Sequence, residues 1–190
     1  MDQRNRLLEL LVERSLVMGE FTLASGARSS YYIDARRTTM SAEGQALVGA
    51  VGLAALRSRD LDPGWVGGLT MGADPIAYAL AHRSWLDGRP LNAFSVRKQP
   101  KDYGVARQIE GGLPEDARAV VVEDTLTSGG SALRAVHAVQ HLGARVLAVL
   151  TLVDRESGGA ERLETEAEVP LIRLFTASEL LSAAQDVTGT

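Results

Sequence analysis

The sequence predicts an α/β fold, a parallel sheet with helices on both faces. Short apolar runs alternate with helical ones from residue 65 onward, the pattern of strand–helix–strand units. The longest apolar run, residues 146–153, lacks any polar alternation, as a strand buried on both faces must. Twice a strand candidate ends in a turn of small residues that opens a helix. Such turns lie at the carboxyl ends of strands, where parallel sheets bind ligands.

The elements follow in order. Leu7, Leu8, Leu11 and Leu16 are spaced roughly as one face of a first helix. Residues 42–56 read as a second, with Ser41 as its cap. Residues 65–69 predict a strand and 75–81 a helix. Residues 91–96 and 119–122 predict strands. A helix over 131–142 is ended by Gly143. Residues 146–153 predict a central strand, 171–175 a last strand, and 177–184 a closing helix. No repeat, low-complexity segment or linker interrupts the chain. Its 190 residues fit one domain, 1–190.

Bulk composition excludes several classes. Hydrophobic residues make up 45% and charged residues 23%, an ordinary globular balance. There is no cysteine, which removes disulfides, thiolate catalysis and cysteine-bound zinc. No run of about 18 uncharged apolar residues predicts a membrane span, and the start lacks the apolar core of a signal peptide. The expected location is the cytoplasm. The net charge is -4 with no basic run, which argues against nucleic acid as a partner. His82, His137 and His141 fall in or beside helix candidates, away from every motif, and no spacing suggests a protein metal cage.

One segment carries specific chemistry: Val120-Val121-Val122-Glu123-Asp124-Thr125-Leu126-Thr127-Ser128-Gly129-Gly130-Ser131. A β-branched run ends in two acids, then a small, hydroxyl-rich turn opens a helix. Glycines let amides crowd an anion, Thr127, Ser128 and Ser131 add hydroxyl donors, and the helix start adds its positive dipole end. That is a cradle for a phosphomonoester. Glu123 and Asp124 would repel the phosphate, so they suit ribose hydroxyls or a magnesium hydration shell beside it. The alternative is a plain turn whose acids cap the helix. The usual nucleotide loops are absent.

This segment resembles the phosphoribosyl pyrophosphate signature of the type I phosphoribosyltransferases. The resemblance implies a five-stranded parallel core, a small hood over about residues 1–40, and a mobile loop over the site. It also implies that Glu123 and Asp124 contact the ribose and that residues 125–131 hold the 5-phosphate.

A second segment, Arg97-Lys98-Gln99-Pro100-Lys101-Asp102-Tyr103-Gly104, follows a strand directly. It predicts a structureless loop running on through Arg107 and Glu110 to Gly111 and Gly112. Its bases suit a polyanion such as pyrophosphate; the alternative is a solvated surface loop. Arg-Lys-x-x-Lys-Asp is similar to the catalytic loop of the orotate phosphoribosyltransferases. Carried over, Arg97, Lys98, Lys101 and Tyr103 bind the phosphoribosyl donor, and Lys101, with Glu123 and Asp124, is catalytic. Many members have histidine where this chain has Tyr103.

Three further pieces match that family in order. Residues 21–34 look like its amino-terminal segment, which implies that Tyr32 and Ile33 touch orotate. Ala24 stands where some members have a lysine that reaches the diphosphate. Gly67-Gly68-Leu69-Thr70-Met71-Gly72-Ala73-Asp74-Pro75 resembles the pyrophosphate loop, where amides of Thr70 and Met71 would bind. Some members have Tyr-Lys in place of Thr70-Met71. Arg155 ends the longest strand, where a guanidinium can take a carboxylate two-pronged. The resemblance assigns it and Thr127 to orotate; the alternative is an ion pair with Asp154 or Glu156.

The resemblance thus implies an enzyme that joins orotate to phosphoribosyl pyrophosphate, giving orotidine 5'-monophosphate and pyrophosphate in pyrimidine synthesis. It implies magnesium held mainly by substrate, and a homodimer whose loops reach into each other's sites. Two competitors are a phosphoribosyltransferase for another base and a non-catalytic regulator of the same fold. Arg155 and the amino-terminal segment speak against the first. The acidic balance and the intact Lys101 loop speak against the second.

Overall fold

The computed structural model describes residues 2–22, 28–99 and 108–188. Helix α1 (Gln3–Arg14) begins where the Asp2 carboxylate accepts the Arg4 amide, and it buries Leu7, Leu10 and Leu11. Leu16 does not lie on this helix as expected. It opens strand β1 (Leu16–Thr22), which pairs antiparallel with β2 (Arg28–Ile33). Most of this hairpin is exposed, so residues 16–33 lack the apolar alternation that would predict strands. A single turn, α2 (Arg36–Thr39), leads to α3 (Ala42–Arg57). The Ser41 hydroxyl accepts the Gly44 amide at 3.1 Å, as its capping position predicts.

The main sheet holds β3 (Trp65–Leu69), β4 (Asn92–Val96), β5 (Ile109–Glu110), β6 (Arg118–Leu126), β7 (Arg145–Asp154) and β8 (Leu171–Thr176) in the order β5-β4-β3-β6-β7-β8. All pairs are parallel except β4 with β5. The long loop expected after β4 is therefore not structureless throughout. Its returning end forms β5, with Glu110 opposite Ser95 and Ile109 opposite Val96. The apolar run 146–153 lies in β7, an interior strand one place from the β8 edge, while β3 and β6 hold the centre.

Helices cover both faces: α4 (Ala73–Leu86), α5 (Gly130–His141), α6 (Gly159–Ala167) and α7 (Ala177–Thr188) complete the set. Alternate residues of β6 divide between two cores. Val120 and Val122 pack with α1, α3, α4 and α7, and Ala119 and Val121 pack with α5 and α6. That two-sided burial is why the strand reads as an unbroken apolar run. Helix α6 buries only Gly159 and Leu163, which explains its weak signal in the sequence. No helix among the described residues is long and apolar enough to cross a membrane.

A buried polar contact ties α1, the start of the hairpin and α2 together within the hood. The hydroxyls of Ser15 and Thr38, both fully buried, lie 2.7 Å apart, and Thr38 also donates to the Leu10 carbonyl at 3.3 Å. Thr38→Val strands Ser15 and should lower the denaturant unfolding free energy by about 1–3 kcal/mol. Urea titration of the two proteins checks it.

Candidate active site

Strand β3 leads through α4 to β4 on one side, while β6 leads through α5 to β7 on the other. The turns after these adjacent strands therefore diverge and leave a crevice between them, the usual ligand position in such sheets. A cavity of about 360 Å³ opens there.

One wall is the turn after β6. Residues 125–131 line a hollow of about 110 Å³. Gly129 takes φ +76° at the start of α5, a conformation that disfavours side chains, and no side chain caps the helix. Its first amides are left for a ligand. Glu123 and Asp124 are not in the turn: β6 runs four residues past its expected end, to Leu126, and carries both acids beside β7.

The opposite wall is the turn after β3, where Thr70, Met71 and Gly72 line the cavity. Asp74 braces it. Its carboxylate accepts the Thr70 hydroxyl at 2.6 Å and the Ser95 hydroxyl at 2.7 Å. The two walls nearly touch: a Cβ on Gly72 would sit 2.5 Å from an Asp124 carboxylate oxygen.

Lys98 lines the cavity, but Arg97 does not. The Arg97 guanidinium meets Glu110 at 3.2 Å, and its amide donates to Gln108 across the start of the returning strand. Lys101, Tyr103 and Ala24 lie outside the described residues.

The hood supplies the third wall. Tyr32 and Ile33 line the cavity with Arg155. Arg155 is nearly buried, its guanidinium 4.9 Å from the Tyr31 ring and 3.4 Å from the Ser29 hydroxyl, and its Nε has no partner. The neighbouring acids are engaged elsewhere. Asp154 accepts the Glu156 amide at 2.8 Å and pairs with Arg173 at 3.3 Å, and Glu156 accepts from Ser178. Among the described residues no carboxylate pairs with Arg155, so the ion-pair alternative is set aside.

Against this geometry, known proteins are informative. No family model matches the chain. The orotate phosphoribosyltransferase of Streptomyces avermitilis is 46% identical over 179 residues, covering 94% of this chain and 97% of the relative. That of Aquifex aeolicus is 45% identical over 182 residues, covering 94% and 98%. The crystal structure of Mycobacterium tuberculosis H37Rv orotate phosphoribosyltransferase in complex with 5-phospho-alpha-D-ribosyl 1-diphosphate superimposes with a TM-score of 0.80 at 41% identity, covering 94% of this chain and 99% of that one. The chain belongs to the orotate phosphoribosyltransferase family.

Within this orotate phosphoribosyltransferase site, three residues escaped the sequence reading. Asp34 and Arg36 line the cavity and pair at 2.8 Å, and Asp74 braces the β3 turn from behind. Asp34 closes the quoted segment 21–34 without a role of its own, Arg36 belongs to no motif, and only the hood's fold brings them to the crevice. Asp74 stood in a quoted motif, but its partner Ser95 is on another strand. His82, His137 and His141 are exposed on α4 and α5, outside the cavity wall.

The electrostatics are tense. Burial pushes the Glu123 carboxyl up to about 8, and the adjacent Asp124 charge adds to it. Asp124 is also raised, by burial first, while the Thr125 amide and Arg36 oppose the shift. An acid whose folded pKa is raised binds more protons folded than unfolded, so stability falls as pH climbs between the two values. Here that window runs from about pH 4.5 to about pH 8. Glu123→Gln should flatten the decline and make the unliganded protein more stable above pH 8, by on the order of a few kcal/mol. Urea midpoints at pH 5 and pH 8.5 measure it; parallel declines in both proteins would refute it.

Proposed function

We propose that this protein transfers the phosphoribosyl group of phosphoribosyl pyrophosphate to orotate, giving orotidine 5'-monophosphate and pyrophosphate in pyrimidine synthesis. The observation that carries the reading is Arg155, a nearly buried arginine with an unpartnered Nε in the same cavity as the phosphate cradle. A base bearing a carboxylate explains it; bare purines and uracil do not.

The roles follow from position. The amides and hydroxyls of residues 125–131 hold the 5-phosphate. Glu123 and Asp124, beside that hollow, accept hydrogen bonds from the ribose hydroxyls. Amides of Thr70 and Met71, with Lys98, hold the diphosphate. Arg155 takes the orotate carboxylate, and Tyr32, Ile33 and Thr127 flank the ring. Arg97, turned to Glu110, holds the base of the loop that bears Lys101 and Tyr103.

The reaction needs no covalent enzyme intermediate. As the bond from ribose to diphosphate lengthens, negative charge builds on the diphosphate and the sugar becomes oxocarbenium-like. Lys101 neutralises the leaving group, while Arg155 aims an orotate ring nitrogen at the anomeric carbon. Catalysis is positioning and charge stabilisation. Among the described residues no cluster of three or more potential ligands could cage a metal ion. The buried acid pair fits a cation that arrives with substrate, since positive charge would relieve the raised Glu123. Magnesium so bound would supply charge for the leaving group, with Glu123 and Asp124 holding its hydration shell.

We also propose a homodimer with shared sites, in one cytoplasmic domain spanning 1–190. Tyr78, Trp85 and Leu86 expose an apolar face on α4 that suits a second copy.

An ultraviolet assay of orotate consumption, with magnesium and phosphoribosyl pyrophosphate, tests the activity. Arg155→Leu should weaken orotate binding by roughly 2–5 kcal/mol and leave donor binding nearly intact; unchanged orotate affinity by calorimetry would remove Arg155 from the role. For sharing, Lys101→Ala and Asp124→Asn should each be nearly inactive. Refolded together, random pairing puts both defects in one site of each mixed dimer and restores roughly a quarter of wild-type activity. No recovery, with exchange confirmed by a tagged subunit, sinks the shared site alone.

A further inference from the structure

The cavity carries more positive charge than the motifs account for. Among the described residues Arg36, Lys98 and Arg155 are the cationic side chains that line it. Asp34, Glu123 and Asp124 line it as well. A diphosphate entering this space brings several further negative charges. Arg155 sits beneath the hood at the base-binding end, against Tyr31 and Ser29. On the opposite wall the turn of Thr70, Met71 and Gly72 brings no cationic side chain. Lys98 alone would then meet that charge from the described walls.

Arg36 is placed to fill the gap. It stands at the start of α2, where the hood meets the main body. The Gln45 side-chain amide donates to both the Thr39 and Pro75 carbonyls, the latter at 3.0 Å. This bridge fastens α2 to the first turn of α4, directly behind the turn of Thr70, Met71 and Gly72. Asp34 orients the Arg36 guanidinium at 2.8 Å through Nε, which leaves both terminal nitrogens for a ligand. Arg36 and Asp124 line the same cavity, and Asp124 in turn abuts Gly72.

We propose that Arg36 is a diphosphate-binding residue, which brings a second cation from the hood to the space that Lys98 and the turn of Thr70, Met71 and Gly72 line. The proposal rests on the phosphoribosyl-transfer reading above. An arginine suits the role because its two terminal nitrogens match two phosphoryl oxygens.

The experiment compares wild type, Arg36→Ala, Arg36→Lys and the double variant Arg36→Ala with Met71→Lys. Calorimetry measures binding of inorganic pyrophosphate and of phosphoribosyl pyrophosphate, and steady-state kinetics give KM for each substrate. Arg36→Ala should weaken both phosphate ligands about 10- to 100-fold and leave the KM for orotate nearly unchanged. Arg36→Lys should keep most of the affinity. Met71→Lys should restore it in the double variant, because the charge returns from the opposite wall. Unchanged affinity in Arg36→Ala overturns the proposal. So does an equal loss for orotate, or a loss that neither lysine recovers, since either marks a structural role. Should Arg36→Ala fail to fold, Arg36→Gln against Arg36→Lys makes the same comparison. A wild-type protein that neither binds the donor nor consumes orotate defeats the functional reading itself. An active wild type with an indifferent Arg36 defeats only this assignment.

Discussion

The parallel pairing of β3 with β6 is the constraint on which the site depends. Trp65, Val66 and Gly67 run beside Ala119, Val120 and Val121, and the chain leaves these neighbours in opposite directions. Two small-residue turns are thereby held face to face across one crevice. The approach is close enough that Gly72 has no room for a Cβ beside Asp124. The spacing of the two turns is set by the pairing of β3 with β6.

The same arrangement forces two carboxyls together at the end of β6, in a place with little water. Their raised pKa values show that the unliganded fold is burdened by this pair. Asp124 accepts the Thr125 amide at 2.9 Å, which offsets part of that cost; buried acids with raised pKa values are a common mark of functional sites.

Arg155 shows the complementary arrangement. Its charge is kept available because the acids beside it in sequence are committed elsewhere, Asp154 to Arg173 and Glu156 to the start of α7. The turn after β7 is thus pinned, while among the described residues no carboxylate pairs with its guanidinium beneath the hood. Tyr31 provides the ring face against which that guanidinium rests, so Tyr31 acts on the site through Arg155, while its neighbour Tyr32 lines the cavity itself.

Sequence alone determined the parallel α/β class, the positions of the five parallel strands and the small-residue turn after β6, because each depends on local signals: apolar runs, glycines, and acids next to hydroxyls in order. It also gave Arg155 its place at a strand end. The exposed hairpin of the hood, the weakly buried α6 and the two-residue β5 were not legible, since a strand or helix that buries little leaves little pattern. Arg97 and Lys98 look equivalent in sequence, yet the pairing of β5 with β4 turned one toward Glu110 while the other lines the cavity. Arg36 belongs to no motif and Asp74 had no role in the one that contains it, and their places arise from contacts between segments that lie far apart in the chain. Local chemistry is written in neighbouring residues; which charges share a cavity is decided only when distant segments pack.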